Sequence, residues 1–133
     1  MKFETIKLPT FGDERGSLVV LEGGKNIPFE IKRVYYMFDT QKDIRRGFHA
    51  HKELRQIAIP VKGSCRFLMD DGHEKKDILL DNPNTGLIIE PLIWHEMYDY
   101  SNDCVLMVLA SDHYDESDYI RNYQDFEKEV QNG

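Results

Sequence analysis

Little in this sequence could staple it, anchor it or hold it on a polyanion. It has two cysteines in 133 residues, Cys65 and Cys104, and each lies in an apolar run, Ser64-Cys65-Arg66-Phe67-Leu68 and Cys104-Val105-Leu106-Met107-Val108-Leu109. That excludes a disulfide framework and reads as two small core residues. No apolar stretch reaches the roughly 20 residues of a transmembrane helix. The opening Met1-Lys2-Phe3-Glu4-Thr5 has no apolar leader segment, so no membrane partner and a cytoplasmic location are expected. Basic residues number 17 against 24 acidic ones, a net charge of −7, which argues against a nucleic-acid partner. A local basic pocket for one small anion is still compatible with that balance. Helical periodicity is missing until the end of the chain.

What is present is ordinary globular composition, 41% apolar and 31% charged, and the expectation is one domain over residues 1–133. Gly and Pro punctuate short β-branched and aromatic runs up to about position 95, the pattern of an all-β sandwich or barrel. Strands are expected at 17–21, 31–38, around 49–51, 56–61, 64–69, 76–80, 87–91 and 104–110, with 94–97 between the last two. Pro60 suggests that 56–61 is an edge strand or ends there. Asp71-Gly72 is a hairpin signal between 64–69 and 76–80. Alternation puts Arg33, Tyr35 and Met37 on one strand face and Val34, Tyr36 and Phe38 on the other. An arginine and a tyrosine sharing a face favours a pocket over plain core. Tyr123, Phe126 and Val130 recur at helical spacing, so a short amphipathic C-terminal helix is expected, with the acidic 112–118 stretch as its solvated lead-in.

The chemistry concentrates in Arg45-Arg46-Gly47-Phe48-His49-Ala50-His51. Two imidazoles two residues apart on a strand point into the same space, and histidine titrates nearest neutrality, so His49 and His51 can exchange protons or bind a metal. Arg45 and Arg46 add fixed positive charge, which suits an anionic ligand. Strict alternation would turn Arg46 away from the histidines unless a bulge at Gly47 turns it inwards. His95 stands among the packing residues Trp94 and Met97 and is weighed as a site residue. His73 and His113 read as exposed and without a task, and Arg15 can be occupied by its neighbours Asp13 and Glu14.

A strand-borne His-x-His, a Gly-bounded hairpin and the later Pro91-x-x-x-His95 resemble the cupin pattern, a double-stranded β-helix or jelly roll with its site inside the barrel. Metal-binding cupins supply a glutamate a few residues after the His-x-His; Arg55 or Gln56 stands there in this chain. Three histidines could still form a zinc or iron site with an open position, but with no carboxylate and with Arg46 nearby, no metal is expected.

More widely, Asp13-x-Arg15-Gly16-Ser17-Leu18, Ile27-Pro28-Phe29, Ile31-Lys32-Arg33-Val34-Tyr35-Tyr36, Arg46-Gly47-Phe48-His49-Ala50-His51, Gly63-Ser64-Cys65-Arg66, Trp94-His95-Glu96-Met97 and Tyr114-Asp115-Glu116-Ser117-Asp118-Tyr119-Ile120-Arg121 resemble the dTDP-4-keto-6-deoxy-glucose 3,4-ketoisomerases. These are small WxcM-like cupins on routes to 3-amino-3,6-dideoxyhexoses. The resemblance implies an isomerase without metal or cofactor, acting on a dTDP-linked 4-keto-6-deoxyhexose. It also implies a homodimer that exchanges an N-terminal strand, and a product taken up by a pyridoxal-phosphate aminotransferase. Its implied catalytic residues are His49, His51 and Tyr35, with Arg33, Arg46, Arg15, Gly16 and His95 binding substrate. Relocating the ketone needs loss of the C3 proton, an enediol, and reprotonation at C4. The expectation gives the C3 proton to His51 and the oxygens to His49 with Tyr35. Arg15-Gly16 points to a galacto-configured product. The competing readings are a dTDP-sugar 3,5-epimerase and a non-catalytic nucleotide-sugar or metal-binding cupin.

Overall fold

A computed structural model describes residues 3–132. Short strands separated by turns become two five-stranded antiparallel sheets and one separate hairpin. The strands are β1 (Thr5–Lys7), β2 (Thr10–Asp13), β3 (Gly16–Val19), β4 (Arg33–Met37), β5 (Arg46–His51), β6 (Gln56–Lys62), β7 (Cys65–Asp70), β8 (Lys75–Leu80), β9 (Thr85–Ile89), β10 (Trp94–Tyr98), β11 (Val105–Ala110) and β12 (Tyr119–Ile120), followed by helix α1 (Tyr123–Asn132). One sheet runs β1-β9-β6-β11-β4, the other β12-β5-β10-β7-β8, and β2 pairs only with β3. This is the antiparallel jelly-roll arrangement of the cupins.

Alternation explains where each strand buries its side chains. Ala58, Leu106 and Val108 join Phe67, Met69, Leu87, Ile89, Ile93 and Met97 in the main core. The other face of the first sheet, through Ile57, Ile59 and Leu109, is covered by Leu8, Ile27 and Phe29. With both faces covered, β6 reads as a continuous apolar run rather than an alternating one. It is also an interior strand, so Pro60 does not mark an edge. Pro60 lies beyond the stretch paired with β9, Gln56–Ala58, and next to a register shift against β11, where a missing N–H is tolerated.

Helix α1 packs Phe126 against Ala50, Trp94 and Ile120 on the outside of the second sheet. Phe126 is fully buried, and truncating it would cost about 3–5 kcal/mol. Asn122 caps the helix by accepting the Asp125 N–H on its side chain at 3.0 Å. The acidic stretch is therefore not the lead-in to the helix. It forms a loop, a 3-10 turn at Glu116–Asp118, and β12, which pairs Tyr119 with His51. The reason is Asp118, whose carboxylate accepts the backbone N–H groups of Glu53 and Leu54 and ties this segment to the end of β5.

Candidate active site

Strand β5 carries a bulge beside Gly47, one of the two arrangements open to Arg46. In the pairing of β5 with β10, His95 faces His49 but Glu96 faces Gly47, so Phe48 is the extra residue, with φ +59°. Gly47 has φ +96°, and a Cβ there would meet the His95 carbonyl oxygen at 2.8 Å, so only glycine fits. The bulge separates the two adjacent arginines. Arg45 turns outwards, its Nε donating to Glu96 at 2.7 Å while its guanidinium lies over the Tyr98 ring. Arg46 lines a cavity of about 440 Å³ together with Arg33, Tyr35, His49, Tyr119 and Arg121.

Arg33, Tyr35 and Met37 face this cavity from β4, as alternation requires, while Val34, Tyr36 and Phe38 are exposed on the other side. The Tyr35 hydroxyl accepts a 2.9 Å hydrogen bond from Gln56 Nε2, and burial raises its pKa. It therefore stays protonated at neutral pH and can donate to an oxygen in the cavity. Arg33 Nε is buried with no partner among the described residues, an unmet donor that favours an anionic ligand.

His49, His51 and His95 form one cluster. Ring centroids are 4.6 Å apart for His49 and His95 and 5.1 Å for His49 and His51, both edge-on. His49 Nδ1 lies 3.0 Å from the Gly47 carbonyl and His95 Nδ1 lies 3.1 Å from the Ile93 carbonyl. A carbonyl can only accept, so these contacts assign the proton to Nδ1 and leave Nε2 as the basic nitrogen. His51 Nδ1 lies 3.3 Å from Asp118 Oδ2 without hydrogen-bond alignment. Desolvation holds all three pKa values low, to about 4 for His51 and about 3 for His95, so the cluster is neutral at pH 7.

Three imidazoles raise the question of a metal, since their ligand atoms lie within 4.8 Å of one another. Bonds of about 2.05 Å to a tetrahedral ion would need separations of about 3.4 Å. Arg33, Arg46 and Arg121 line the adjacent cavity with positive charge. Arg55, in the place of the usual glutamate, is engaged with Glu90 at 2.7 Å, and Gln56 is bonded to Tyr35. The three imidazoles lie close enough together to hold a metal ion, and the guanidinium groups beside them weigh against a divalent cation.

Two residues expected at the site are elsewhere in this chain. Arg15 and Gly16 lie at the tip of the β2–β3 hairpin, in a separate surface concavity, with the Arg15 side chain 86% exposed and 2.6 Å from Asp13. Conversely, Tyr119, Arg121 and Asp118 have site positions that the strand pattern does not reveal. Arg121 stacks over Tyr119 at 4.3 Å and is held by Glu116 at 2.8 Å, with the Tyr114 hydroxyl bonded to the same carboxylate. Arg121 and Tyr114 also hold the Glu116 carboxyl down to about 2.

Known proteins share this sequence and fold. The sequence model of the family described as WxcM-like, C-terminal matches residues 1–131. A TDP-4-oxo-6-deoxy-alpha-D-glucose-3,4-oxoisomerase of Aneurinibacillus thermoaerophilus is 55% identical over 98% of this chain and 94% of its own. The crystal structure of a 3,4-ketoisomerase from Helicobacter canadensis superposes with TM-score 0.95 at 47% identity, covering 98% of each chain. A third relative is the 3,4-ketoisomerase QdtA of Thermoanaerobacterium thermosaccharolyticum, solved as a histidine-to-asparagine variant in complex with TDP-4-keto-6-deoxyglucose. It gives 0.95 at 46% identity over 97% of this chain and 94% of that one. With the match spanning nearly every residue, this chain belongs to the TDP-4-keto-6-deoxyglucose 3,4-ketoisomerase family of cupins and is an isomerase.

Proposed function

We propose that this protein converts TDP-4-keto-6-deoxyglucose into the 3-keto-6-deoxyhexose with galacto configuration at C4, moving the ketone through an enediol without a metal. The observation that carries the reading is the position of His49. Its neutral imidazole, proton fixed on Nδ1, stands on the wall of a cavity that also presents a protonated phenol and three guanidinium groups.

In this reading His49 Nε2 takes the C3 proton, acidified by the neighbouring ketone. The sequence pattern favoured His51 for that task. His51, however, lines a second and smaller cavity and not the larger one, which supports giving the C3 step to His49. Tyr35 donates to the C4 oxygen as negative charge develops there. A positioned base contributes on the order of 10²- to 10⁴-fold, and a donor aimed at an oxyanion about 10²- to 10³-fold. Arg33 and Arg46 bind the diphosphate, with Arg121 as a third cation at the same wall. His95, buried behind His49, keeps its imidazole in place by edge-on contact.

Arg15 and Gly16 reach a sugar site in this reading only from a second copy of the chain. The hairpin exposes Phe11 and Leu18, and β4, an edge strand, exposes Val34, Tyr36 and Phe38. An exchanged hairpin laid along β4 of a second copy would bury both sets and cover both edges, which supports a homodimer. No described helix is long and apolar enough to cross a membrane, and two unpaired thiols support a reducing compartment such as the cytoplasm. The 3-keto product suits a pyridoxal-phosphate aminotransferase on a route to amino sugars.

The test is incubation with TDP-4-keto-6-deoxyglucose in deuterated water, with and without chelator, read by NMR. A 3-keto product with galacto coupling constants, unchanged by chelator and unlabelled at C5, is expected. Label at C5 would instead identify a 3,5-epimerase, and binding without carbon exchange would identify a non-catalytic cupin.

A further inference from the structure

Beside His51 lies a chamber of about 90 Å³ lined by His51, Asp118 and Leu54 and by Arg33 and Tyr119, which it shares with the larger cavity, with exposed Glu53, His113 and Asp115 at its rim. Its volume is enough for a few water molecules and too small for a sugar. His51 is 2% exposed, lines this chamber, and has no hydrogen-bond partner on either ring nitrogen among the described residues. A nearly buried imidazole with both nitrogens unmet is costly unless water or a proton carrier meets them. Its nearest fixed group is Asp118, 3.3 Å from Nδ1 and itself held by the N–H groups of Glu53 and Leu54 at 2.9 and 3.2 Å. On the other side is His49, whose ligand nitrogen lies within 4.8 Å of that of His51, a gap one water can bridge.

We propose that Asp118 is the positioning residue of a proton exit. His51 and the chamber carry the proton taken from C3 out to solvent, so that the hydrogen delivered to C4 comes from water and not from C3. The inference rests on the reading above, in which His49 breaks the C3–H bond. The balance is simple. The C3–H bond breaks and His49 Nε2 gains the proton, which passes by way of water to His51 Nε2, while the C4 oxygen takes the Tyr35 proton and the C3 hydroxyl returns one to Tyr35 as the C3 ketone forms. The Nδ1 proton of His51 leaves through Asp118 and the chamber water, a solvent proton forms the C4–H bond, and no redox partner is consumed. Without the exit, the proton remains on His49 beside the enediol and is returned to the sugar.

The experiment uses TDP-4-keto-6-deoxyglucose deuterated at C3, in ordinary water, and reads deuterium at C4 of the product by NMR. The wild-type enzyme is expected to give C4 free of deuterium. Asp118→Asn, which keeps an acceptor for the Glu53 and Leu54 N–H groups, is expected to carry deuterium from C3 to C4. Its kcat should fall on the order of 10-fold with KM within about two-fold. His51→Gln leaves the Asp118 bonds to the backbone untouched and should show the same transfer of label, so the inference does not depend on the folding of one variant. Deuterium at C4 with the wild-type enzyme, or label and kcat in both variants equal to wild type, would overturn the exit. A wild-type enzyme that forms no 3-keto product and loses no C3 deuterium would instead overturn the underlying reading of function.

Discussion

His49 and His51 sit on β5, which is paired on both sides, and His95 on β10, also paired on both sides; Arg15 and Gly16 sit at the end of a hairpin paired only with itself. Inside the barrel, register and alternation dictate where a side chain points, because a slip of one residue would expel the apolar set from the core. At the hairpin tip nothing in the chain dictates it. Arg15 binds its neighbour Asp13 and otherwise meets solvent. The larger cavity thus gathers its histidine, tyrosine and arginines from one chain, whereas the hairpin tip lies in a separate concavity and, on the reading proposed above, meets a sugar only from a second copy.

The largest separation between the two regions should appear with acid. His51 and His95 are each 2% exposed, with pKa values held to about 4 and about 3 against 6.5 when unfolded. Depressed values mean that the unfolded chain binds more protons below pH 6.5. Their contribution to stability is therefore complete above that pH and lost as the pH falls towards 4 and then 3. At pH 5 the loss is roughly 2 kcal/mol per imidazole. Thermal melting between pH 7 and 5 should show a falling Tm that His95→Asn partly flattens; a level Tm would mean that the histidines are not buried neutral.

Next in size, Tyr35→Phe should lower kcat by about 10²-fold with little change in KM, because the phenol is required where charge develops. An equal loss in KM would make Tyr35 a binding residue only. Arg46→Ala should raise the Kd for TDP, measured by calorimetry, by about 10-fold or more, the worth of one charge-assisted contact. Unchanged TDP affinity would return Arg46 to the outer face that strict alternation assigned to it. Smallest of all, Arg15→Ala should leave the Tm essentially unchanged, since its pair with Asp13 is exposed. If the hairpin reaches a second copy's cavity, the same variant still changes the C4 configuration of the product or its rate, and identical product and kinetics would remove Arg15 from the site.

The same contrast explains what could be read in advance. The period-2 pattern of β4 and the His-x-His of β5 placed Tyr35, Arg33, His49 and His51 because both strands lie in the barrel and alternation is enforced by burial. The Gly47 bulge was legible as an alternative, since glycine beside a needed inward arginine is what a bulge requires. Asp118, Tyr119 and Arg121 were not legible as site residues. They belong to a 3-10 turn, a two-residue strand and the residue after it, with no periodicity, and the segment is brought to His51 by hydrogen bonds to Asp118 from residues more than 60 positions away. β1 and β2 were missed because Thr5–Lys7 and Thr10–Asp13 are short and mostly exposed, without the apolar alternation that marks a strand.

The most direct trial is the rate at which deuterium leaves C3 of TDP-4-keto-6-deoxyglucose with His49→Asn and with His51→Gln, each shown to bind TDP. Removing the His49 imidazole should slow that loss by at least about 10²-fold, while removing His51 should slow it on the order of 10-fold. Undiminished exchange in the His49 variant, with exchange abolished in the His51 variant, would contradict the account and return the C3 proton to His51.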